Sequence, residues 1–357
     1  MNKIFSFLFL MTFSVLINAC KKDNSGPVPV DTASSRQLIL SDIATNVISA
    51  TYKDFNEKSI AFKNDIEALV FSPDQINLNT CKEDWKALKS SWEQSKSFLF
   101  GPAYTDDVDN RLNTWPINYS SIDALIISTT DFTGTYVNTA SGQIKGLQAI
   151  EYLLFGANGN KVASDLTNRE LQYLNQLISN IKSIADKLAT DWKTDSSVGY
   201  FKPFVYAGDG SSVYETQLSA YEKLVNSMVD IMNKIAGNDT TALFNLTNQN
   251  LEVTPCSATS LKHFKDNVQS VKNVYTGTYL TDAKGIEEFV SVNNTDLNGK
   301  IKQQLDESLA SLSAITVPFG EAITTQAAQI QTAITKINVL RTTLKDELLP
   351  LIKTKIN

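Results

Sequence analysis

The chain has 357 residues, 42% of them apolar, and carries 38 acidic against 32 basic side chains for a formal net charge of −6. That length builds one large domain or two of middle size. The mild acidity, with lysines and arginines scattered between acids, excludes nucleic acid as a partner, because phosphate binding needs clustered positive charge.

The N-terminus reads as targeting, not fold. Lys3 precedes an apolar stretch from Ile4 to Ile17 that is too short to span a membrane stably. Leu16-Ile17-Asn18-Ala19-Cys20 follows, which resembles a bacterial lipoprotein signal cleaved before Cys20, with that cysteine then lipidated. The competing reading is an ordinary secretory peptide with an incidental cysteine. Residues 1–19 are thus assigned to the signal and 20–35 to a polar tether opening Lys-Lys-Asp-Asn-Ser-Gly-Pro-Val-Pro. The expected place is the bacterial cell envelope, on the outer membrane, with lipidated Cys20 as the membrane partner. Beyond Cys20 only Cys81 and Cys256 remain, and the sequence does not show whether they meet.

From Arg36 the apolar spacing is helical nearly throughout. Leu40, Ile43, Val47, Ala50 and then Phe55, Phe62, Ile66, Leu69 predict a long first helix whose face shifts midway, stopped at Ser72-Pro73-Asp74. Thr80 or Asp84 is the expected cap of the next helix, with Trp85, Leu88, Trp92 and Leu99 on its stripe. Residues 103–143, rich in Asp, Asn, Thr and Ser, read as a long functional loop. A deeply apolar helix follows at Gly146-Leu147-Gln148-Ala149-Ile150-Glu151-Tyr152-Leu153-Leu154-Phe155-Gly156, then a long one through Leu171 to Trp192. Residues 196–212 read as a linker. Helices then carry Tyr214 to Ile235, Leu261 to Tyr275, Ile301 to Ile315 and Ile323 to Leu348, with breaks at Gly237-Asn238-Asp239 and Val317-Pro318-Phe319-Gly320.

The halves repeat weakly. Each has a helix ending in Gly (Gly101, Gly277), an excursion, a Lys-Gly-apolar step (Lys145-Gly146-Leu147, Lys284-Gly285-Ile286) and a long helix. The predicted fold is all-α: two related up-down helical bundles, 36–195 and 213–357, with long loops at their junction.

Four segments together carry a family resemblance: Trp85 to Gly101, Arg111-Leu112-Asn113-Thr114-Trp115-Pro116, Gly146 to Gly156 and Ser260 to Gly277. In this order they resemble the imelysin family, also called insulin-cleaving membrane protease or iron-regulated protein A. The resemblance covers essentially the whole mature chain. It implies an exported, often lipid-anchored protein of two helical bundles associated with iron acquisition; a peptidase label also attaches to the family. The family's Gly-x-His-x-x-Glu reads Gly146, Gln148, Glu151 here. Lys96 stands where the family usually has Glu, and Val253-Thr254-Pro255 replaces a Glu-Ser-Pro-like turn. An amide is a poor transition-metal ligand, so the resemblance implies a degenerate metal site.

An ionised carboxylate in an apolar helix needs a partner. Glu151 therefore either acts as the remaining site carboxylate, with a metal as one candidate partner, or pairs with Arg111 or Lys96. Gln148 either donates and accepts hydrogen bonds in a pocket or fills the space of the lost His. Arg111 with Trp115 either clamps an anionic ligand or neutralises Glu151. Gly146, Gln148, Glu151, Arg111, Trp115 and Lys96 are the candidate ligand-binding residues, and no catalytic residue is assigned. Asp106-Asp107-Val108-Asp109 lacks calcium-loop spacing and reads as solvated, Trp85 and Trp92 as core, and His263, the single histidine, as a surface or interface residue. The expected function is a non-catalytic, lipid-anchored envelope protein with a ligand or metal site at the bundle junction and a part in iron uptake. Iron or another divalent cation and a small anion are the candidate ligands. The alternatives are a metallopeptidase and a surface scaffold or adhesin that binds protein or glycan.

Overall fold

The structure, a computed structural model, describes residues 30–194, 196, 199–237 and 254–356. Cys20, the signal, most of the tether and the Asn238-Asp239 break lie outside them. The described secondary structure is helical, without a strand, and none of its helices is long and apolar enough to cross a membrane.

Thr32 starts the first helix with a capping box to Ser35. The helix thus opens at Ala33, before the expected Arg36. Ala33–Asp42, Ile43–Ser49 and Ala50–Phe71 then run on without a break. The middle piece is π-helical, and its wider turn produces the shift of apolar face seen in the spacing. Ile39 and Leu40 are buried before this turn, Ile43, Ala44, Val47 and Ile48 within it, and Tyr52, Phe55, Phe62, Ile66 and Leu69 after it. Ser72 ends the rod. The next helix, Gln75–Glu93, is capped by Asp74, whose side chain accepts from the Asn77 N–H, and not by Thr80 or Asp84. Its first turn is polar, so the apolar period starts later than the helix does.

Ala50–Phe71 packs between Gln75–Glu93 and Asn168–Asp191, and Gly146–Phe155 lies across the latter two. Trp85 and Trp92 are fully buried. Trp85 Nε1 donates to the Leu147 carbonyl at 2.8 Å, which fixes the Gly146 helix to the Gln75 helix. Farther on, Gln217–Ala236 packs on Ala327–Thr343, and Ser260–Thr276 packs on both Thr295–Ser313 and Gln75–Glu93. Just past the Gln75 helix, Ser97 Oγ donates to the Ser270 carbonyl at 2.9 Å. No disulfide joins Cys81 and Cys256, both of which are buried.

The stretch expected as one long loop is instead a string of short helices: Pro102–Thr105, Val108–Asn113, Tyr119–Ile127 and Gly134–Thr139. Asn118 and Thr133 cap the last two. Helices of four to nine residues complete too few turns to show a period in sequence. The expected linker likewise holds a short helix, Phe201–Val205.

The two Lys-Gly-apolar steps share a physical cause. Gly146 has φ +79°, and a Cβ there would stand 2.5 Å from the Leu112 carbonyl oxygen. A Cβ on Gly285 would stand 2.2 Å from the Tyr275 carbonyl oxygen. Each glycine lets the start of one helix press against the end of an earlier one.

Candidate functional site

Trp85, Lys89 and Glu93 are spaced four apart on the Gln75–Glu93 helix and share its inward face. Lys89 is wholly buried and Glu93 is 4% exposed. Charges so placed need partners, and both have them. Lys89 Nζ lies 2.6 Å from Glu93 Oε1 and also donates to Asn113 Oδ1. Asn267 Nδ2 donates to Glu93 Oε2 at 2.6 Å. Burial alone would raise the Glu93 carboxyl, but Lys89 and Lys96 outweigh it and bring it down to about 2.

One turn on, Lys96 is buried beneath the Trp92 ring, 4.9 Å from its centroid. Its ammonium pairs with Asp109 Oδ1, while Asp109 Oδ2 receives Lys234 Nζ at 3.2 Å. Burial pulls the Lys96 ammonium below its ordinary value despite Asp109 and Glu93. For Asp109, burial acts upward, but the two lysines prevail and hold the carboxyl well below the usual carboxylate range. The charge of Asp109 raises Lys234 in turn.

Glu93, Lys96, Asp109, Lys234 and Asn267 wall a cavity of about 160 Å³, lined also by Asn110, Asn113, Thr114, Trp115, Ile231 and Phe264. Four parts of the chain build it: the end of the Gln75 helix with Lys96, the Val108–Asn113 helix with Thr114 and Trp115, Gln217–Ala236, and Ser260–Thr276.

A second network, of hydroxyls, leads from Glu151 to the cavity. Glu151 is 2% exposed. Its Oε1 accepts from the Ser257 N–H at 2.8 Å and from Ser257 Oγ at 2.7 Å. Ser257 Oγ meets Thr259 Oγ1 at 2.8 Å, and Thr259 Oγ1 meets His263 Nε2 at 3.3 Å. Thr254 Oγ1 stands 3.3 Å from His263 Nδ1. His263, expected at a surface or interface, is buried at 3% exposure and lines the cavity. Burial first, and Lys89 second, push its imidazole well below its ordinary value, so the ring is neutral.

The candidate residues divide. Lys96 and Trp115 line the cavity. Gln148 sits just behind it, its Nε2 donating to Asn113 Oδ1 at 2.6 Å, while its buried Oε1 has no hydrogen-bond partner among the described residues. Gly146 holds the Leu112 end of the Val108–Asn113 helix close and so sets where Asn113 to Trp115 stand. Arg111 lies elsewhere. It lines a separate cleft with Asp106 and Lys187, and its Nη2 reaches Asn138 Oδ1 at 3.5 Å. Neither pairing proposed for Glu151 is formed among the described contacts: Lys96 takes Asp109, and Glu151 takes Ser257. Sequence reading missed Lys89, Glu93, Asp109, Asn113, Lys234 and Asn267 as site residues. A lysine in an otherwise apolar stripe, with Glu four residues on, was the available signal for the first pair.

Among the described residues, the surroundings of Glu151 do not assemble a transition-metal ligand set. Among the described residues no three His, Cys, Asp or Glu side chains converge as an ion would need. Gln148 offers only an amide, and Glu151 Oε1 already accepts two hydrogen bonds.

Comparison with known proteins bears on this arrangement. The family model described as Imelysin, peptidase M75, matches residues 48–345. Iron-regulated protein A of Synechococcus elongatus is 24% identical over 287 residues, covering 79% of this chain and 77% of that protein. A crystal structure from Parabacteroides distasonis, described as an iron-regulated protein A precursor, superposes with a TM-score of 0.80 at 22% identity over 93% of this chain and 97% of that one. An imelysin-like protein from Psychrobacter arcticum gives a TM-score of 0.73 at 14% identity, covering 91% and 97%. The structural likenesses establish the shared all-α fold, and the family match spans most of the sequence: the chain belongs to the imelysin family.

Proposed function

We propose that this chain is a non-catalytic, lipid-anchored protein of a bacterial envelope that binds a small ligand in the cavity between Lys96, Trp115 and Lys234 and takes part in iron uptake. The observation that carries the reading is the cavity itself, walled by four separate parts of the chain and backed by two polar networks. A pocket of this kind with a few convergent polar groups is where ligands bind. The non-catalytic part is supported by the state of the polar groups. Glu151 Oε1 is engaged by Ser257, and both nitrogens of the neutral His263 face threonine hydroxyls. A zinc peptidase would need three protein ligands and a water. The iron link is supported by the names of the relatives, and lipidation at Cys20 by the signal in the sequence. The repeated glycine junctions at Gly146 and Gly285 support the reading of two related bundles, 36–195 and 213–357, joined by 196–212.

The test is a chelator-free preparation assayed for iron, zinc, copper and calcium, titrated with each, and incubated with insulin B chain. The expected result is no stoichiometric ion and no cleavage. Cleavage lost in Glu151→Ala would make the protein a peptidase, and a bound ion lost in the same variant would make Glu151 a metal ligand.

A further inference from the structure

We propose that the cavity takes a small organic monocarboxylate, its carboxylate on Lys96, Lys234 and Asn113 and its apolar body against Trp115, Ile231 and Phe264. The inference rests on the reading of this cavity as the ligand site and gives it a chemical class.

The argument is a census of donors and acceptors. The acids of the cavity are already committed. Glu93 takes Lys89 on one oxygen and Asn267 on the other, and Asp109 takes Lys96 and Lys234 on its two oxygens. The donors are not. Each ammonium carries three N–H groups, and Lys96 and Lys234 each give one to Asp109 as their described hydrogen bond. The orientation of Asn113 is fixed by its neighbour. Lysine can only donate, so Asn113 must turn Oδ1 to Lys89. Its Nδ2, with two N–H groups, then has no partner among the described residues. Asn267 is fixed in the opposite sense: Glu93 can only accept, so Nδ2 faces Glu93 and Oδ1 is left over. Open donors outnumber this acceptor, and such a lining is satisfied by an acceptor-rich ligand.

Charge gives the same answer. Lys89 lies behind the lining and balances Glu93, and His263 is neutral, which leaves Asp109 alone against Lys96 and Lys234 and one positive charge in excess at that end of the cavity. One carboxylate balances it. Size limits the rest: an apolar cavity of about 150 Å³ holds benzene, and this one measures about 160 Å³. Trp115, Ile231 and Phe264 supply the apolar wall for a body of that bulk.

The experiment is calorimetric titration of the full-length protein with sodium benzoate, benzamide and benzylamine, three probes of one size and different charge. Benzoate is expected to bind one to one, with benzamide weaker by about tenfold or more. Lys234→Gln, at a half-exposed position where the fold tolerates it, is expected to weaken benzoate by about tenfold or more while leaving benzamide unchanged. Lys187→Gln, outside the cavity, is expected to change nothing. Equal binding of benzoate and benzamide, preference for benzylamine, or indifference to Lys234→Gln would overturn the carboxylate. If in those cases Trp115→Ala still abolished binding, the cavity would remain the ligand site. Failure of all three probes would overturn both the carboxylate and the reading of this cavity on which it rests.

Discussion

Two networks meet behind the cavity, and they are made of different chemistry. One is ionic: Lys89 with Glu93, and Lys96 with Asp109 and Lys234. The other runs from Glu151 through Ser257 and Thr259 to His263 and Thr254, and after its first carboxylate it is neutral. In the ionic network Lys89, Glu93 and Lys96 were brought out of water at high cost and depend on partners of opposite sign, while Lys234 stays half-exposed. Each link of the hydroxyl network exchanges a water hydrogen bond for a protein one, with a small net gain. The two should therefore fail differently, one abruptly and with acid, the other gradually.

The sharpest break is Glu93→Gln. It strips the wholly buried Lys89 of its counter-ion, and the expected loss is about 3–5 kcal/mol in denaturant unfolding. The pH dependence has a definite sign. Glu93 sits at about 2 when folded against an ordinary 4.5, so its stabilisation is complete above pH 4.5 and disappears as pH falls toward 2. Asp109, depressed in the same direction, adds to the slope. The gap between wild type and Glu93→Gln should hence close as pH is lowered through this window, and a gap constant with pH would show that the pair is not ionic. In the hydroxyl network, Ser257→Ala removes one of the two donors to Glu151 Oε1, a charge-assisted bond worth about 1.5–3 kcal/mol. Thermal melts should find it milder than Glu93→Gln.

A third variant tests the geometry that brings the networks together. Gly146→Ala places a side chain at φ +79° and against the Leu112 carbonyl. The conformation alone costs about 1–3 kcal/mol, and the displaced Asn113 should also weaken ligand binding. His263 gives a fourth measurement. It is the single histidine, so one imidazole signal in proton NMR reports on the hydroxyl network. Its folded value lies well below the ordinary 6.5. It therefore contributes stability above pH 6.5 that is lost as pH falls, and the signal should titrate at lower pH than a free imidazole does. The smallest effect is expected at Arg111, which touches neither network. Arg111→Ala should change stability by no more than about 0.5 kcal/mol and leave ligand binding untouched.

The long helices were legible because they repeat. Trp85, Leu88 and Trp92 recur at three and four and are all buried, and the face shift in the first helix appeared in the spacing before its cause was visible. Starts with polar first turns were not legible, as Asp74 shows, nor were helices too short for a period, as in residues 103–143. The site was half legible. Lys96 and Trp115 line the cavity and the Gly146 helix stands behind it, but the partners Asp109, Lys234 and Asn267 come from elements far apart in sequence, and only folding makes them neighbours. Arg111 looked like a clamp because it is a lone cation beside Trp115 in the chain. In the Val108–Asn113 helix it projects toward Asp106 and Lys187 while Asn113 faces the cavity.

The π-helical turn at Ile43–Ser49 has a consequence for how this chain tolerates length change. It works as a phase offset between two stretches of one rod. One residue removed within it converts the wide turn to an ordinary one, and the tighter winding restores the angle lost with the residue, so both flanks keep their faces. Ile39 and Leu40, both buried, would stay against the core, whereas a deletion elsewhere in the rod rotates everything ahead of it by about 100°. A scan of single-residue deletions along the rod should therefore find this turn the most tolerant stretch, recognisable by melting transitions close to that of the intact chain.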